Sequence, residues 1–209
     1  MPGSLFLSLD GIDGTGKSTQ CGLLADWLRD RGEDVVTCAD PGGTPIGTAL
    51  REIVLHHRGE MTPACEAFLF MASRAQLVAE VIVPALSAGQ IVVCDRFLLA
   101  NVVYQGYAGG IEPAKLWEMG RLSAGGLEPD LTLVLDLPVD TAKRRLDRTP
   151  DRMEGRDVAF HERVRSGFLA EAARQPDRIH VIDASLPIET VQEHIRREVS
   201  RALAARSGA

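Results

Sequence analysis

The residues best suited to chemistry lie near the start of the chain, where positions 11–18 read Gly-Ile-Asp-Gly-Thr-Gly-Lys-Ser. This order fits the pattern G-x-x-x-x-G-K-[ST], in which consecutive backbone N–H groups surround a phosphate. The apolar run 5–9 before it predicts a buried strand, and apolar residues at helical spacing after it predict a helix. A glycine-rich loop between a strand and a helix N-terminus predicts a site for a nucleoside triphosphate.

Each position of this loop has a predicted task. Lys17 is expected to face solvent and to reach the β- and γ-phosphates of ATP, and Ser18 to place its hydroxyl on Mg²⁺. Thr19, the next residue, is the alternative metal ligand. A chance match in a glycine-containing turn is the other interpretation, and the flanking strand and helix argue against it. The predicted ATP-binding set is Gly11, Ile12, Asp13, Gly14, Thr15, Gly16, Lys17, Ser18 and Thr19.

The elements that must position this loop are predicted from four further apolar runs, which are 35–38, 91–94, 131–135 and 179–182. Helical patterns separate these runs. This alternation predicts an α/β fold with a five-stranded, mainly parallel sheet and helices on both faces, as in P-loop proteins. The length of 209 residues predicts a single domain over 1–209. Because ligands of such sheets bind beyond the carboxyl ends of the strands, the residues after each strand are candidates for the site.

The composition limits the partners of the chain. A net charge of −6 argues against a broad nucleic-acid-binding surface. No uninterrupted apolar run approaches the roughly 20 residues that span a bilayer, and 1–4 lacks a signal-peptide layout. The four cysteines form no C-x-x-C pair, which argues against zinc and favours reduced thiols. We therefore expect a cytoplasmic protein whose partners are neither nucleic acid nor membrane.

Two pairs of residues indicate a second ligand. Phe70 and Arg74 lie four apart on a helix predicted from Thr62 to about residue 87, so they share a face on which a flat base could stack and accept a hydrogen bond. The spacing alone favours a core phenylalanine with a surface arginine. Asp95 and Arg96 directly follow the third strand, where the acid could reach Mg²⁺ and the arginine a second phosphate. A surface ion pair is the alternative there.

Polar residues at helical spacing follow the third strand, and they could line an acceptor pocket: Asn101, Tyr104 and Gln105.

A basic segment follows the fourth strand and contains Lys143, Arg144, Arg145, Arg148, Arg152 and Arg156. Such a run is usually a solvated face. Its place after a strand that ends near the phosphates also favours a short arginine-bearing lid over about 148–156.

Taken in order, these motifs resemble those of thymidylate kinases of the bacterial type, within the P-loop nucleoside-monophosphate kinases. The resemblance covers nearly the whole chain. Its later supports, beyond the glycine-rich loop, are 40–44, 129–131 and 151–154 together with the residues named above. It implies the phosphorylation of dTMP to dTDP by ATP with Mg²⁺, in dTTP synthesis for DNA replication, by a homodimer.

The resemblance also implies roles for single residues. Asp13 is similar to the carboxylate that meets the sugar 3′-hydroxyl and helps to position the metal–phosphate cluster. Phe70 is similar to the thymine-stacking ring and Arg74 to the donor to thymine O4. Arg96 resembles the arginine that holds the dTMP phosphate, with Asp95 beside Mg²⁺. The remaining assignments are base-edge contacts for Asn101 and Gln105, a position against a ribose 2′-hydroxyl for Tyr104, and a place beside adenine for Arg144.

The transition state needs one further cation, since the loop position Asp13 is acidic while Lys17 and Arg96 each serve one phosphate group. Arg152 resembles the catalytic lid arginine of the family, and Arg148 and Arg156 are the reserve candidates.

Two departures from the family pattern concern the acceptor. Ala39-Asp40 replaces the usual Arg-Glu, and Ala100 stands where a serine is common.

Three alternatives remain open at this point. One is a kinase for another nucleoside monophosphate, such as dUMP or dCMP. Arg74 argues against cytosine, because a guanidinium and the cytosine amino group both donate hydrogen bonds. A deoxynucleoside kinase is a second alternative, against which Arg96 argues. The third is a GTP-binding switch, since 40–43 satisfies D-x-x-G, although no N-K-x-D motif occurs.

Overall fold

A parallel five-stranded sheet forms the centre of the molecule. The structure is a computed structural model, and it describes residues 4–57, 59–146 and 151–207. The strands run in the order β2-β3-β1-β4-β5 and every neighbouring pair is parallel. The predicted α/β architecture is therefore confirmed. The strands are Leu5–Asp10 (β1), Val35–Ala39 (β2), Ile91–Asp95 (β3), Leu131–Asp136 (β4) and Ile179–Asp183 (β5).

Helices connect the strands and cover both faces of the sheet. Within the described residues they are Lys17–Arg29 (α1), Pro45–His56 (α2), Pro63–Leu77 (α3), Val83–Ser87 (α4), Leu98–Asn101 (α5), Pro113–Ser123 (α6), Val139–Arg144 (α7), Val158–Arg174 (α8) and Ile188–Ser207 (α9). π-helical turns at Val78–Ile82 and Val102–Ala108 continue α3 into α4 and extend α5. Such turns are rare and often occur at functional sites.

The alternation of side chains along each strand divides the core into two layers. In β1, Leu5, Leu7 and Leu9 pack in one layer with residues of α1, α8 and α9, whereas Phe6 points into the other. That second layer contains buried residues of α3 and α6, including Leu77 and Leu116. Because both faces are covered, the strands are apolar along almost their whole length, as parallel strands usually are.

The strand order brings the two chemically promising strand ends together. β1 and β3 are neighbours, with Leu9 opposite Asp95, so the glycine-rich loop after β1 begins beside Asp95 and Arg96. β2 pairs with the other edge of β3 and leads into the loop at Asp40. The backbone N–H of Asp40 donates to the carbonyl of Asp95 at 3.1 Å, which holds these two strand ends together.

One continuous helix, Pro63–Ser87, forms a wall beside these strand ends. The side chain of Thr62 caps it by accepting a hydrogen bond from the Cys65 N–H at 3.2 Å. The helix has 25 residues, and an 18-residue window within it has a mean hydropathy of 1.5, so by length and composition alone it could cross a membrane. In this structure 39% of that window is buried inside the molecule. Two of its charged residues, Glu66 and Arg74, are buried against the rest of the molecule.

Candidate active site

The glycine-rich loop leaves β1 and closes on the N-terminus of α1. Gly14 has φ 85°, and a Cβ at this position would lie 2.2 Å from the carbonyl oxygen of Ala142, so only glycine fits. Thr15 Oγ1 donates to the carbonyl oxygen of Ile12 at 3.0 Å, which braces the loop. α1 begins at Lys17 with its unpaired N–H groups toward the loop, a good site for an anion.

Lys17 is buried, so the expectation of a solvent-facing lysine is wrong. Its Nζ donates to the carbonyl oxygen of Ile12 at 2.8 Å and lies 4.0 Å from Asp13. Burial and the nearby charge of Arg96 lower the pKa of Lys17 to about 8. A cation in this environment is poorly solvated, and an arriving phosphate would compensate for the lost water.

Ser18 and Asp95 form an oxygen-rich pair beside Lys17. The Ser18 hydroxyl donates to Asp95 Oδ2 at 2.5 Å, across 77 positions of sequence. A hydroxyl and a carboxylate are ligands that suit Mg²⁺, which usually takes few protein ligands and completes its shell with phosphates and water. No group of three or more His, Cys, Asp or Glu that could hold a metal occurs within 4–57, 59–146 and 151–207. The pair therefore fits a magnesium ion that arrives with a nucleotide.

A cavity opens over the glycine-rich loop, and we call it the phosphate cavity. Eight predicted site residues line it, and six of them are Asp13, Lys17, Ser18, Thr19, Asp95 and Arg96. Gly14 and Gly16 contribute backbone to its wall. The ends of three strands meet here, as the topology predicts.

Asp13, Arg96 and Tyr104 form a compact ion pair and hydrogen-bond cluster at the edge of the phosphate cavity. Arg96 contacts Asp13 Oδ1 through Nη2 and donates from Nη1 to the carbonyl oxygen of Gly11 at 2.8 Å. Tyr104 donates its hydroxyl to Asp13 Oδ2 at 3.1 Å. Burial alone would raise the pKa of Asp13, but Arg96 and Lys17 outweigh it and hold that pKa below its usual range. Asp13 is therefore an anion that orients Arg96.

The backbone of Arg96 is in an unusual conformation. Its φ of 70° is in the left-handed region, which non-glycine residues occupy at some cost. The N–H of Arg96 donates to the carbonyl oxygen of Leu9 at 2.9 Å, and its own carbonyl accepts from the Cys94 thiol at 2.8 Å. These contacts hold the strained turn that directs the guanidinium toward the loop.

A second cavity adjoins the first and has the size of a small-ligand site, about 610 Å³ including its mouth. We call it the acceptor cavity. Its wall combines apolar rings with buried polar groups. It contains the predicted acceptor residues Asp13, Phe70, Arg74, Arg96, Asn101, Tyr104 and Gln105, together with Asp40, Arg51, Phe97, Ala100, Met153 and Glu154.

Arg74 is 1% exposed, so the alternative of a surface arginine is wrong. Its Nε donates to Asp40 Oδ2 at 2.6 Å, and its Nη1 donates to Asn101 Oδ1 at 3.2 Å. The guanidinium carbon lies 5.4 Å from the centre of the Phe97 ring. Burial raises the pKa of Asp40, and the charge of Arg74 opposes this rise. These two hydrogen bonds fix the orientation of the guanidinium and leave Nη2 for a ligand.

The segment 151–156 covers the acceptor cavity with Asp151, Met153 and Glu154. Arg152 lies in this segment but borders neither the acceptor nor the phosphate cavity. Its Nη1 donates to Glu66 Oε1 at 2.5 Å and its Nε to the carbonyl oxygen of Val54 at 2.7 Å. The predicted lid over about 148–156 is thus anchored in its described part. Arg148 lies outside the described residues.

Arg144 is exposed, and its Nη2 donates to the hydroxyl of Thr141 at 2.9 Å. A third cavity lies beyond the glycine-rich loop, and its wall contains Arg145 and residues that precede α9, but not Arg144. Arg145 Nη1 donates to the carbonyl oxygen of Ala184 at 3.1 Å, which fixes the side chain on this wall.

Sequence reasoning missed Arg51 and Glu66. Arg51 lines both the phosphate and the acceptor cavity and donates to the carbonyl oxygen of Pro41 at 2.8 Å. Glu66 is a buried carboxylate that accepts from Arg152, Arg156 and Gln105. Neither residue follows a strand or belongs to a glycine-rich motif, so only the packing of α2 and α3 beside the strand ends identifies them.

Comparisons with known proteins agree with this geometry. The family model described as thymidylate kinase matches residues 9–195. A thymidylate kinase of Rhodopirellula baltica is 48% identical over 194 residues, covering 93% of this chain and 79% of that protein. One from Clavibacter sepedonicus is 44% identical over 208 residues, covering 98% and 99%. The crystal structure of thymidylate kinase from Ehrlichia chaffeensis superposes with a TM-score of 0.81 at 30% identity, over 95% of this chain and 100% of that one.

Proposed function

Because the chain belongs to the thymidylate kinase family, we propose that its acceptor cavity holds dTMP while its phosphate cavity holds the triphosphate of ATP. The enzyme is a transferase that phosphorylates dTMP to dTDP with ATP as donor, a step of nucleotide biosynthesis. Neither another acceptor nor a GTP-binding switch is favoured by these relatives. The observation that carries the placement is that Asp13, Arg51 and Arg96 border both cavities.

Phosphoryl transfer between two anions depends on positioning and charge neutralisation. In our proposal Lys17 binds the β- and γ-phosphates, and Arg96, oriented by Asp13, binds the dTMP phosphate. That phosphate oxygen is already a nucleophile, so no strong general base is required. Arg51 stands between the two groups and can limit their repulsion. Ser18 and Asp95 would hold Mg²⁺, which supplies charge neutralisation at the triphosphate.

We propose that the thymine base lies against Phe70 with its O4 toward Arg74. Asn101 and Gln105 would read the rest of the base edge, and Tyr104 would occupy the space that a ribose 2′-hydroxyl needs. Support comes from the wall itself, which places the Phe70 ring and the buried polar side chains of Arg74, Asn101 and Gln105 around a single cavity. Ala100 and Asp40 stand in the same wall, so the two departures from the family pattern concern this ligand.

An acceptor panel tests this placement. With ATP and Mg²⁺, we expect dTMP and dUMP to be phosphorylated in strong preference to dCMP, because Arg74 donates to O4 and has nothing to accept from the amino group. A site built around a substrate hydrogen bond can reject an analogue without it by on the order of 10⁴-fold. The measurement is kcat/KM from ADP release for each monophosphate. Equal values for dTMP and dCMP would refute the role of Arg74.

The adenine of ATP is proposed to lie in the third cavity, next to Gly14 and Gly16 of the loop. Arg144 remains a proposed neighbour of the base at the surface, and Arg145 is the arginine already in that wall.

We further propose that 1–209 is one domain that works in the cytoplasm. The four cysteines Cys21, Cys38, Cys65 and Cys94 are all free, which suits a reducing compartment.

A homodimer is proposed from an apolar stripe on the long helix Pro63–Ser87. Its exposed residues Phe68, Ala72, Ala79 and Val83 recur at spacings of four, seven and four, so they lie near one face of the helix. Phe68 alone is 60% exposed. A long helix with a bare apolar face is best explained by a second copy that packs its own helix there.

Replacing Phe68 by glutamate is expected to convert the dimer to a monomer, because two charges would face each other in an apolar contact. Sedimentation velocity at micromolar concentration measures the change. Val181→Glu is the matched control, since Val181 is a 44% exposed apolar residue on the edge strand β5. A Phe68→Glu protein that sediments like the wild-type dimer would place the interface elsewhere.

A further inference from the structure

A continuous chain of hydrogen bonds runs along the wall of the acceptor cavity, and we call it the acceptor relay. It begins at Asp40 and Arg74, joined at 2.6 Å, and continues from Arg74 to Asn101 at 3.2 Å. Asn101 Nδ2 donates to Gln105 Oε1 at 2.7 Å, and Gln105 Nε2 donates to Glu66 Oε2 at 3.2 Å. All five residues are at most 3% exposed, so water does not compete for these contacts.

The two ends of the relay determine how its amides are oriented. An arginine can only donate, so Asn101 must present its oxygen to Arg74 and its nitrogen to Gln105. An ionised carboxylate can only accept, so Gln105 must present its nitrogen to Glu66 and its oxygen to Asn101. Side-chain amides are otherwise free to exchange their two ends. Here Arg74 at one end and Glu66 at the other require the same orientation of the two amides between them.

Glu66 is itself held in place from the opposite side. Arg152 and Arg156 both donate to Oε1, at 2.5 Å and 3.0 Å, which leaves Oε2 for Gln105. The side chain of Glu66 is 3% exposed and lies on α3, on the same helix as Arg74. The carboxylate is thus fixed by two charged hydrogen bonds before it meets the amide, so it acts as a rigid acceptor.

This orientation matters because thymine and cytosine differ by an exchange of donor and acceptor. Thymine presents an acceptor at O4 and a donor at N3, whereas cytosine presents a donor at its amino group and an acceptor at N3. An amide carries one of each, so an amide that suits one base suits the other after it turns over. We propose that Glu66 is a specificity-determining positioning residue, which holds Gln105 and Asn101 in the order that accepts thymine and rejects cytosine.

The proposal rests on the proposed placement of the base beside Asn101 and Gln105. Its test is Glu66→Gln, which keeps the shape of the side chain but replaces one acceptor oxygen by a donor. Because Arg152 and Arg156 require an acceptor, the new amide turns its nitrogen toward Gln105, which then loses the contact that orders it while Arg74 alone still orients Asn101. We expect the ratio of kcat/KM for dTMP to that for dCMP to fall at least fivefold, measured with ATP and Mg²⁺. Glu171→Gln is the matched control. Glu171 is equally buried and accepts from Tyr107 and Trp117, outside the relay.

A purely structural role for Glu66 would lower activity with both acceptors alike and leave the ratio unchanged. A ratio that falls less than fivefold in Glu66→Gln overturns the proposal. If that variant fails to fold because Arg152 and Arg156 lose their counter-charge, Glu66→Gln combined with Arg156→Gln preserves the net charge and is judged by the same criterion. Gln105→Met distinguishes a failure of the proposed role of Glu66 from a failure of the proposed base placement. A changed ratio in Gln105→Met with none in Glu66→Gln refutes only the role of Glu66, whereas no change in either refutes the base placement too.

Discussion

Replacement of Lys17 by methionine is expected to lower kcat/KM for phosphoryl transfer by about 10³-fold, the upper range for removal of one preorganised electrostatic group. Lys17 is the cation at the start of α1 and borders the phosphate cavity. Methionine keeps the buried aliphatic stem, which matters because Lys17 is only 7% exposed. The measurement is ADP release at saturating dTMP over a range of ATP concentrations.

Two further variants make this result interpretable. Lys17→Ala removes the aliphatic stem as well as the charge. A larger drop in melting temperature for Lys17→Ala than for Lys17→Met would show that the stem stabilises the fold by packing, independently of the charge. Lys115→Ala removes a lysine whose side chain is 69% exposed on α6, and we expect normal turnover there. A folded Lys17→Met protein with nearly wild-type turnover would show that the glycine-rich loop is not the ATP site.

The strands were predictable because their composition reflects burial on two faces. Every strand nevertheless extends one residue beyond its apolar run, and in four of the five that residue is an aspartate: Asp10, Asp95, Asp136 and Asp183. Asp95 borders the phosphate cavity, whereas Asp10, Asp136 and Asp183 accept hydrogen bonds from Ser8, Arg165 and Ser185. The apolar pattern therefore stops one residue before the backbone ladder does, because a polar side chain at the strand end has its own partner.

The site was predictable where it follows a strand or a motif, as at Lys17 and Arg96. Arg74 shows the limit, since its spacing from Phe70 alone favours a surface position. Its burial depends on Asp40, 34 positions away, which provides the compensating charge. The contact between Glu66 and Arg152 spans 86 positions and joins α3 to the segment after β4. No local pattern encodes such a pair, because it arises only when the helices pack.

The proposal that Arg152 supplies the transition-state cation leads to the second large effect. We expect Arg152→Ala to lower kcat by about 10²-fold, a tenth of the lower limit of the roughly 10³–10⁵ known for arginine fingers. In this structure Arg152 is bound to Glu66 and to the carbonyl oxygen of Val54, so it must exchange these partners to reach a phosphate. That exchange offsets part of its contribution, and it leaves Arg156 as the charged partner that holds Glu66 Oε1.

Three comparisons decide whether Arg152 has this role. Arg152→Lys should recover only part of the loss, because an ammonium cannot bridge two oxygens as a guanidinium does. Arg156→Ala tests the reserve candidate, which shares the carboxylate of Glu66; with Arg152 as the cation, this variant should keep kcat within a few-fold of wild type. Arg51→Ala tests the competing cation, which already borders both cavities. If kcat is unchanged in Arg152→Ala but falls in Arg51→Ala, Arg51 of α2 supplies the transition-state cation. Arg152 then keeps its contacts with Glu66 and Val54 throughout the reaction.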